Sequence, residues 1–305
     1  MFKNDKLIPY YAGIGYSVLI GFAFLGIKLC QGAGTQLEIL TYRFNFAFLA
    51  ALIMYVFKMS KSNIRDRNTH GGNLKMLLLA VFTYIVFIIF QVVGMFYTTS
   101  VVGAIVLALI PIMVQIIASL ILKEKGNLKQ NLFICLSVGS VITSVVAGNG
   151  IGEVGLLGVA IYVLAALGMA VSNTSVRYVR AKYTPFDVSF VMCAAGFVLC
   201  NIASVYTGLK TGTIDQYFEP LKDIEFVAGT AFLGIGCILA SSQLVAFALS
   251  KLPAINAAIF GNLSTAISII VGVVIIKEPF SVVQLLCVLC IIIGVAGVSY
   301  YGNKK

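Results

Sequence analysis

Residues 98–124 read TTSVVGAIVLALIPIMVQIIASLILKE, and residues 252–278 read LPAINAAIFGNLSTAISIIVGVVIIKE. Aligned without a gap, the two stretches share an internal Ala-Ile pair and a C-terminal Lys-Glu pair. A Gln and a Leu that follow shortly after each stretch match as well. The matching positions are Ala104-Ile105 with Ala258-Ile259, Lys123-Glu124 with Lys277-Glu278, Gln130 with Gln284, and Leu132 with Leu286. A repeat of this length, about half the chain from its copy, is typical of a duplicated membrane bundle.

The composition of the chain points to a membrane environment. Hydrophobic residues make up 60% of the 305 positions, charged residues make up 10%, and the mean hydropathy is +1.02. A soluble domain is about 45–50% apolar and about 25% charged, so one water-soluble core could not hide this much apolar surface. The sequence therefore predicts an all-α integral membrane protein whose surroundings are a lipid bilayer.

The charge and the cysteine content argue against two functional classes. A net charge of +10 would suggest nucleic acid in a soluble protein, but in a membrane protein positive residues gather on cytoplasmic loops, so no nucleic acid partner is expected. All seven cysteines lie in or at the ends of apolar segments, where cysteine behaves as a small hydrophobe. The one histidine, His70, lies in a polar loop, so we expect neither a metal site nor a cofactor.

Ten segments are long and apolar enough to cross a membrane as helices, which takes about 20 residues each. They lie at about 9–29, 38–57, 74–96, 100–122, 130–148, 155–176, 186–207, 226–249, 253–276 and 283–301. The repeat divides the chain into residues 1–150, with the first five segments, and residues 151–305, with the last five. Pro111 predicts a kink in the fourth segment, and its counterpart in the repeat, Thr265, predicts none.

The distribution of positive charge predicts that both termini are cytoplasmic. With the N-terminus inside, all but five of the 21 Lys and Arg residues lie on the inner side of the cell membrane. The exceptions are Lys28, Arg43, Lys210, Lys222 and Lys277. Because each half has an odd number of spans, the halves enter the membrane from opposite sides, and such an inverted repeat is the usual architecture of alternating-access carriers.

Three local features accompany the two five-helix repeats. The first helix contains the stretch 21–28 (GFAFLGIK), the second contains Tyr42-Arg43-Phe44, and the fourth and ninth helices each end in Lys-Glu before a Gln-containing start to the next helix. In this order and spacing, the chain resembles the EamA-type ten-helix branch of the drug/metabolite transporter superfamily over nearly its whole length. The resemblance implies an exporter or importer of a small polar metabolite, often an amino acid or a related compound.

Polar side chains inside the predicted spans are the candidates for a substrate cavity, because polar groups in hydrocarbon need partners or water. The candidate residues are Lys28, Arg43, Tyr84, Gln91, Asn173, Gln243, Asn262 and Thr265. Tyr84 and Gln91 are seven positions apart and are predicted to share a helix face. Two other roles stay open: Lys28 can extend to the headgroups, and small polar residues such as Thr265 can join helices.

The energy source is only partly constrained by the sequence. No Asp or Glu lies in the middle of a predicted span, so a carboxylate proton relay has no obvious carrier. Facilitated diffusion or exchange is at least as compatible with the sequence as proton coupling. The cations Lys28 and Arg43 slightly favour a substrate that bears a carboxylate or a phosphate.

We therefore predict a secondary transporter whose partner is a small-molecule substrate. A lipid or polyprenyl-phosphate flippase stays open as the alternative, and a scaffold without transport is less favoured because the predicted loops are short. An enzyme is not expected, since no cluster of catalytic His, Asp or Ser lies near one interface, and the G-x-x-x-x-G-K-[ST] motif is absent. The sequence does not decide between a monomer and a homodimer.

Overall fold

A computed structural model describes residues 7–63, 74–122, 128–147, 156–179, 182–251 and 255–302. These residues form helices and turns and contain no strand. The α-helices are α1 Ile8–Gly21, α2 Ala23–Cys30, α3 Gln36–Val56, α4 Leu74–Met95, α5 Ser100–Leu107, α6 Ile110–Leu122, α7 Leu128–Ala147, α8 Leu156–Val179, α9 Pro185–Thr211, α10 Ile224–Ala231, α11 Ser241–Lys251, α12 Ile255–Val274 and α13 Val282–Gly302. A π-helical segment, Phe232–Ala240, joins α10 to α11 without a break.

Apolar helices overlap each of the segments that were predicted to cross the membrane. Within the described residues, six stretches are long and apolar enough to do so: Ile8–Cys30, Gln36–Val56, Leu74–Met95, Leu156–Val176, Pro185–Thr211 and Ile224–Ala248. Four shorter apolar stretches lie at Ser100–Val114, Asn131–Thr143, Leu263–Val274 and Val282–Gly297. The prediction of an all-α, multi-pass membrane protein is confirmed for the part of the chain that the structure describes.

The kink predicted at Pro111 is present as a break between two helices. Helix α5 ends at Leu107 and α6 begins at Ile110, just before the proline. Proline has no N–H to donate to the preceding turn, which accounts for the interruption at this point. In the second half, α12 runs without a break through Thr265.

Helices α3 and α9, which pack against each other, begin in the same way. In each, the hydroxyl of a threonine accepts a hydrogen bond from a backbone N–H three residues on, and the acidic side chain of that residue accepts one from the threonine N–H. The pairs are Thr35 with Glu38 and Thr184 with Asp187. This capping box satisfies N–H groups that a helix start leaves unpaired, so it fixes where both helices begin.

Asp187 also anchors the segment that follows α3. Its carboxylate accepts hydrogen bonds from Ser62 Oγ at 2.7 Å and from the backbone N–H of Asn63 at 3.0 Å. Asp187 is fully buried, so these hydrogen bonds are shielded from water. They hold the segment after α3 against the start of α9.

One Lys-Glu pair of the repeat has a structural role at a helix start. The carboxylate of Glu278 accepts from the backbone N–H groups of Ser100 and Val101, both at 2.9 Å, and from Ser100 Oγ at 2.8 Å. These donors belong to the first turn of α5, where a negative charge also complements the helix dipole. The other pair, Lys123-Glu124, lies outside the described residues.

Much of the core is formed between the two halves of the chain. Helix α8 packs against α4, α5 and α6, and the pair α1–α2 packs against α10, α11 and α12. Helix α3 packs against α9 and the π-helical segment, and α7 packs against α13. A side chain on one half therefore reaches the other half directly.

Candidate functional site

The bundle encloses an arginine. Arg43 lies in α3, and its side chain is only 2% exposed. Its neighbours Tyr42 and Phe44 are buried as well. A guanidinium that is removed from water in this way needs acceptors or a counter-ion. The groups around Arg43 therefore determine what the site can bind.

Two residues of α4 lie beside Arg43. Arg43 Nη1 donates a hydrogen bond to Gln91 Oε1 at 3.3 Å, and Tyr84 lies close enough to Arg43 for an electrostatic interaction. Gln91 is buried and Tyr84 is partly buried. The structure thus brings together three of the residues that the sequence predicted for a cavity, and two of them come from one helix face.

The residues that the structure describes do not satisfy this guanidinium completely. Arg43 Nε is buried without an acceptor. Its other electrostatic neighbours are the thiols of Cys30, Cys193 and Cys237. Across the described ranges, the one ion pair joins Lys222 to Glu219, so no carboxylate there is paired with Arg43. A cation with a spare donor and no counter-ion is suited to hold an anion.

The π-helical segment approaches α3 at the turn that carries Arg43. A Cβ added to Gly234 would lie 2.3 Å from the carbonyl O of Arg43 and 2.9 Å from the backbone N of Ala47, so the two backbones meet without a side chain between them. In the same segment, the Cys237 thiol donates to the carbonyl of Leu19 at 3.2 Å. π-Helical turns are rare and occur frequently at functional sites.

A second polar cluster joins α3, α9 and the connection 212–223. Asn201 Nδ2 donates to Asn45 Oδ1 at 2.6 Å, Asn45 Nδ2 donates to Tyr217 Oη at 3.3 Å, and Tyr217 Oη donates to Asn201 Oδ1 at 2.5 Å. The hydroxyl of Tyr42 donates to the backbone carbonyl of Tyr217. Asn201 and Tyr217 were missed by the sequence analysis. The available signal was the presence of two amides, Asn45 and Asn201, in different predicted spans, because such amides form hydrogen bonds across helices.

A cavity of about 440 Å³ lies between the first turn of α3 and the connection 212–223. Its lining is mostly polar and consists of Ala33, Glu38, Gln216, Glu219, Pro220, Lys222 and Asp223. Glu38 lies about one helical turn before Tyr42, and Gln216 directly precedes Tyr217. The cavity therefore lies beside the contact between Tyr42 and Tyr217.

Comparison with known proteins places this chain in a family. The model of the EamA-like transporter family matches residues 7–146 and, a second time, residues 156–300. The chain belongs to the EamA-like transporter family. Because the EamA family is part of the drug/metabolite transporter superfamily, the resemblance found in the sequence is confirmed.

One similar protein agrees with this assignment, and a second shares the fold. The uncharacterized transporter YcxC of Bacillus subtilis (strain 168) is 32% identical over 306 residues, which span 100% of this chain and 97% of the relative. A solved crystal structure matches with a TM-score of 0.66 at 12% identity, over 97% of this chain and 98% of the other. At that identity the likeness shows the fold alone. The family and the relative point to a transporter rather than an enzyme.

Two further candidates in this EamA bundle are Lys28 and Thr265. Lys28 is exposed at the end of α2, as a lysine that extends to the headgroups would be. Thr265 donates to the carbonyl of Gly261 in its own helix at 3.2 Å. Among the residues that the structure describes, no hydrogen bond joins either of them to Arg43.

The last three candidates lie on α8, α11 and α12. Asn173 and Gln243 are partly buried. Gln243 Nε2, like Arg43 Nε, is a buried donor without an acceptor. The side chain of Asn262 lies outside what the structure describes. Gln243 therefore has a buried polar group that the described protein leaves unsatisfied.

Proposed function

We propose that this EamA-family protein is a secondary transporter that moves a small polar metabolite across the cell membrane by alternating access. The observation that carries the proposal is the buried Arg43, with Gln91 and Tyr84 beside it on α4 and the backbone of Gly234 against it from the other half of the chain. An ionisable group inside a membrane bundle is costly, and it marks a substrate or ion pathway by default.

A duplicated architecture supports this mechanism. The family model matches once within residues 1–150 and once within residues 151–305. The packing repeats as well. Helix α8 contacts α4, α5 and α6 in one half, and the pair α1–α2 contacts α10, α11 and α12 in the other half. We infer ten spans, five in each half, that enter the membrane from opposite sides with both termini cytoplasmic. Exchanging the roles of the two halves then gives inward-open and outward-open states of similar energy.

We infer that Arg43, Tyr84 and Gln91 form the core of the substrate cavity. Gln243, with its unsatisfied Nε2, belongs to the wall, where a polar substrate supplies the missing acceptor. The remaining candidates for the wall are Lys28, Asn173, Asn262 and Thr265.

The cluster of Asn45, Asn201 and Tyr217 ties the connection 212–223 to α3 and α9. We infer that these hydrogen bonds close the bundle near Arg43, on the side of the 440 Å³ cavity. Opening on that side requires these hydrogen bonds to break. Alternating access needs a local change of this kind.

The acids in the described residues support exchange or facilitated diffusion rather than a proton relay. Asp187 is the acidic residue classed as buried in this part of the chain. Its carboxylate already accepts hydrogen bonds from Ser62, Asn63 and Thr184. A carboxylate that is held in this way at a helix start serves as an anchor.

Ligand-dependent melting of the purified protein tests the proposed function. One panel contains amino acids, hydroxy acids and other small polar metabolites, and a second contains phospholipids and polyprenyl phosphate. A ligand that binds only the folded state stabilises it by about 2.7 kcal/mol at a hundredfold excess over its Kd. We expect members of the polar panel to raise the melting temperature. A response to the lipid panel alone would contradict a metabolite transporter and favour a flippase.

A further inference from the structure

Arg43 is a buried cation that lacks a counter-ion in the part of the chain that the structure describes. Its side chain is 2% exposed. The one ion pair found there joins Lys222 to Glu219, whose side chains are 74% and 55% exposed. Because an unpaired buried charge is strongly unfavourable, a bound anion would stabilise this arrangement.

The donor geometry of Arg43 indicates which anion fits. A guanidinium carries five N–H donors in a planar fork. Arg43 Nη1 donates to Gln91 Oε1 at 3.3 Å, and Arg43 Nε has no acceptor. A carboxylate presents two oxygens that match such a fork and accept two parallel hydrogen bonds. The amide of Gln91 and the hydroxyl of Tyr84 add uncharged polar groups beside it.

The number of charges distinguishes a carboxylate from a phosphate. A carboxylate carries one negative charge at pH 7, whereas a phosphate monoester carries about −1.5 to −2. Among the described residues, the electrostatic neighbours of Arg43 are Tyr84 and three cysteines, and no second cation is among them. Lys28 is, like Arg43, one of the five cations that the sequence does not assign to the inner side of the membrane. It is exposed at the end of α2. A second negative charge on the ligand would therefore be buried without a partner.

We propose that Arg43 binds the carboxylate of the transported metabolite, so that the substrates are small monocarboxylic acids, amino acids included. This inference rests on the proposed transport function and names the chemical group that the same site recognises. Binding of the carboxylate and neutralisation of Arg43 are one event. Removing the carboxylate from a substrate therefore removes the interaction that holds it.

Gln91 offers a test that leaves Arg43 in place. Gln91→Glu changes the side-chain size very little and puts a carboxylate beside Arg43 Nη1, where Gln91 Oε1 lies at 3.3 Å. That carboxylate is an internal counter-ion. We expect the melting temperature of ligand-free Gln91→Glu to exceed that of the wild type, and we expect its response to added monocarboxylates to be lost.

The experiment compares acids with their primary amides. The melting temperature is measured with lactate and lactamide, alanine and alaninamide, and leucine and leucinamide, with shorter and longer 2-hydroxy and 2-amino acid pairs completing the panel. The acids should raise the melting temperature and the amides should not. In Arg43→Gln and Gln91→Glu, the apparent Kd for an acid should rise at least about thirtyfold. Lys210→Gln, which removes an exposed cation at the end of α9, should bind as the wild type does.

The outcomes separate this inference from the proposed function. If amides stabilise the protein as well as the acids do, or if the response to acids survives both Arg43→Gln and Gln91→Glu, the inference is wrong and the metabolite transporter stands. If no acid raises the melting temperature while other polar solutes do, the inference is wrong in the same way. If only lipids raise it, both are wrong.

Discussion

Replacement of Gly234 by alanine is expected to lower the free energy of unfolding by about 3 kcal/mol, at the upper end of the usual range for overpacking. The added Cβ would lie 2.3 Å from the carbonyl O of Arg43 and 2.9 Å from the backbone N of Ala47. Both atoms belong to the backbone of α3 and cannot rotate away, so α3 or the π-helical segment must move. Because that turn carries Arg43, stabilisation by a bound substrate should weaken as well.

The matched control is Gly236→Ala in the same π-helical segment. A Cβ at Gly236 would contact side chains, the nearest atom being Cδ2 of Phe232 at 3.3 Å. A side chain can rotate, and alanine is favoured over glycine in helices by about 1 kcal/mol, so we expect a small or favourable change. Unfolding of both variants in mixed micelles measures the difference. Equal stability of the two variants would contradict the close approach at Gly234.

Asp187→Ala is expected to cost about 3 kcal/mol of stability. The fully buried carboxylate accepts hydrogen bonds from Ser62 Oγ at 2.7 Å and from the backbone N–H groups of Thr184 at 2.8 Å and Asn63 at 3.0 Å. Hydrogen bonds to a charged group contribute about 1.5–3 kcal/mol each, and part of that loss is recovered when water reaches the donors. The amide of Asn63 should then exchange faster with solvent.

Glu38→Ala is the control for Asp187→Ala, because Glu38 has the same place in the capping box of α3. Glu38 is partly exposed and accepts hydrogen bonds from the backbone N–H and the hydroxyl of Thr35. Loss of such a cap costs about 1 kcal/mol. Unfolding measurements, together with hydrogen exchange over residues 57–63, compare the two variants. If Asp187→Ala were no more destabilising than Glu38→Ala, the buried anchor would not be what holds this segment.

The features that could be predicted are local in the sequence. Apolar length alone indicates where the helices lie, because a membrane span needs about 20 such residues. The break before Pro111 follows from the N–H that proline lacks. Tyr84 and Gln91 could be assigned to one face because seven residues make about two helical turns. That both lie beside Arg43 required the structure, since helix packing is not visible in the spacing.

The features that were missed depend on contacts between distant residues. Asn45 and Asn201 are 156 positions apart, and their partner Tyr217 lies in a connection outside the predicted spans. The π-helical segment 232–240 (FLGIGCILA) has the composition of an ordinary apolar helix. What distinguishes it is the close packing of Gly234 against the backbone of α3. The spacing of apolar residues in the sequence does not predict such a contact.

In the proposed mechanism, this EamA-family protein carries a small polar solute past Arg43 by alternating access. Counter-transport in proteoliposomes tests it most directly: vesicles are preloaded with an unlabelled solute that stabilises the protein and are then diluted into a trace of the labelled solute. We expect transient accumulation of label in vesicles with the wild type and none with Arg43→Gln. The mechanism is contradicted if wild-type vesicles accumulate no more label than protein-free vesicles while a fluorescent phospholipid moves between the leaflets of the wild-type vesicles.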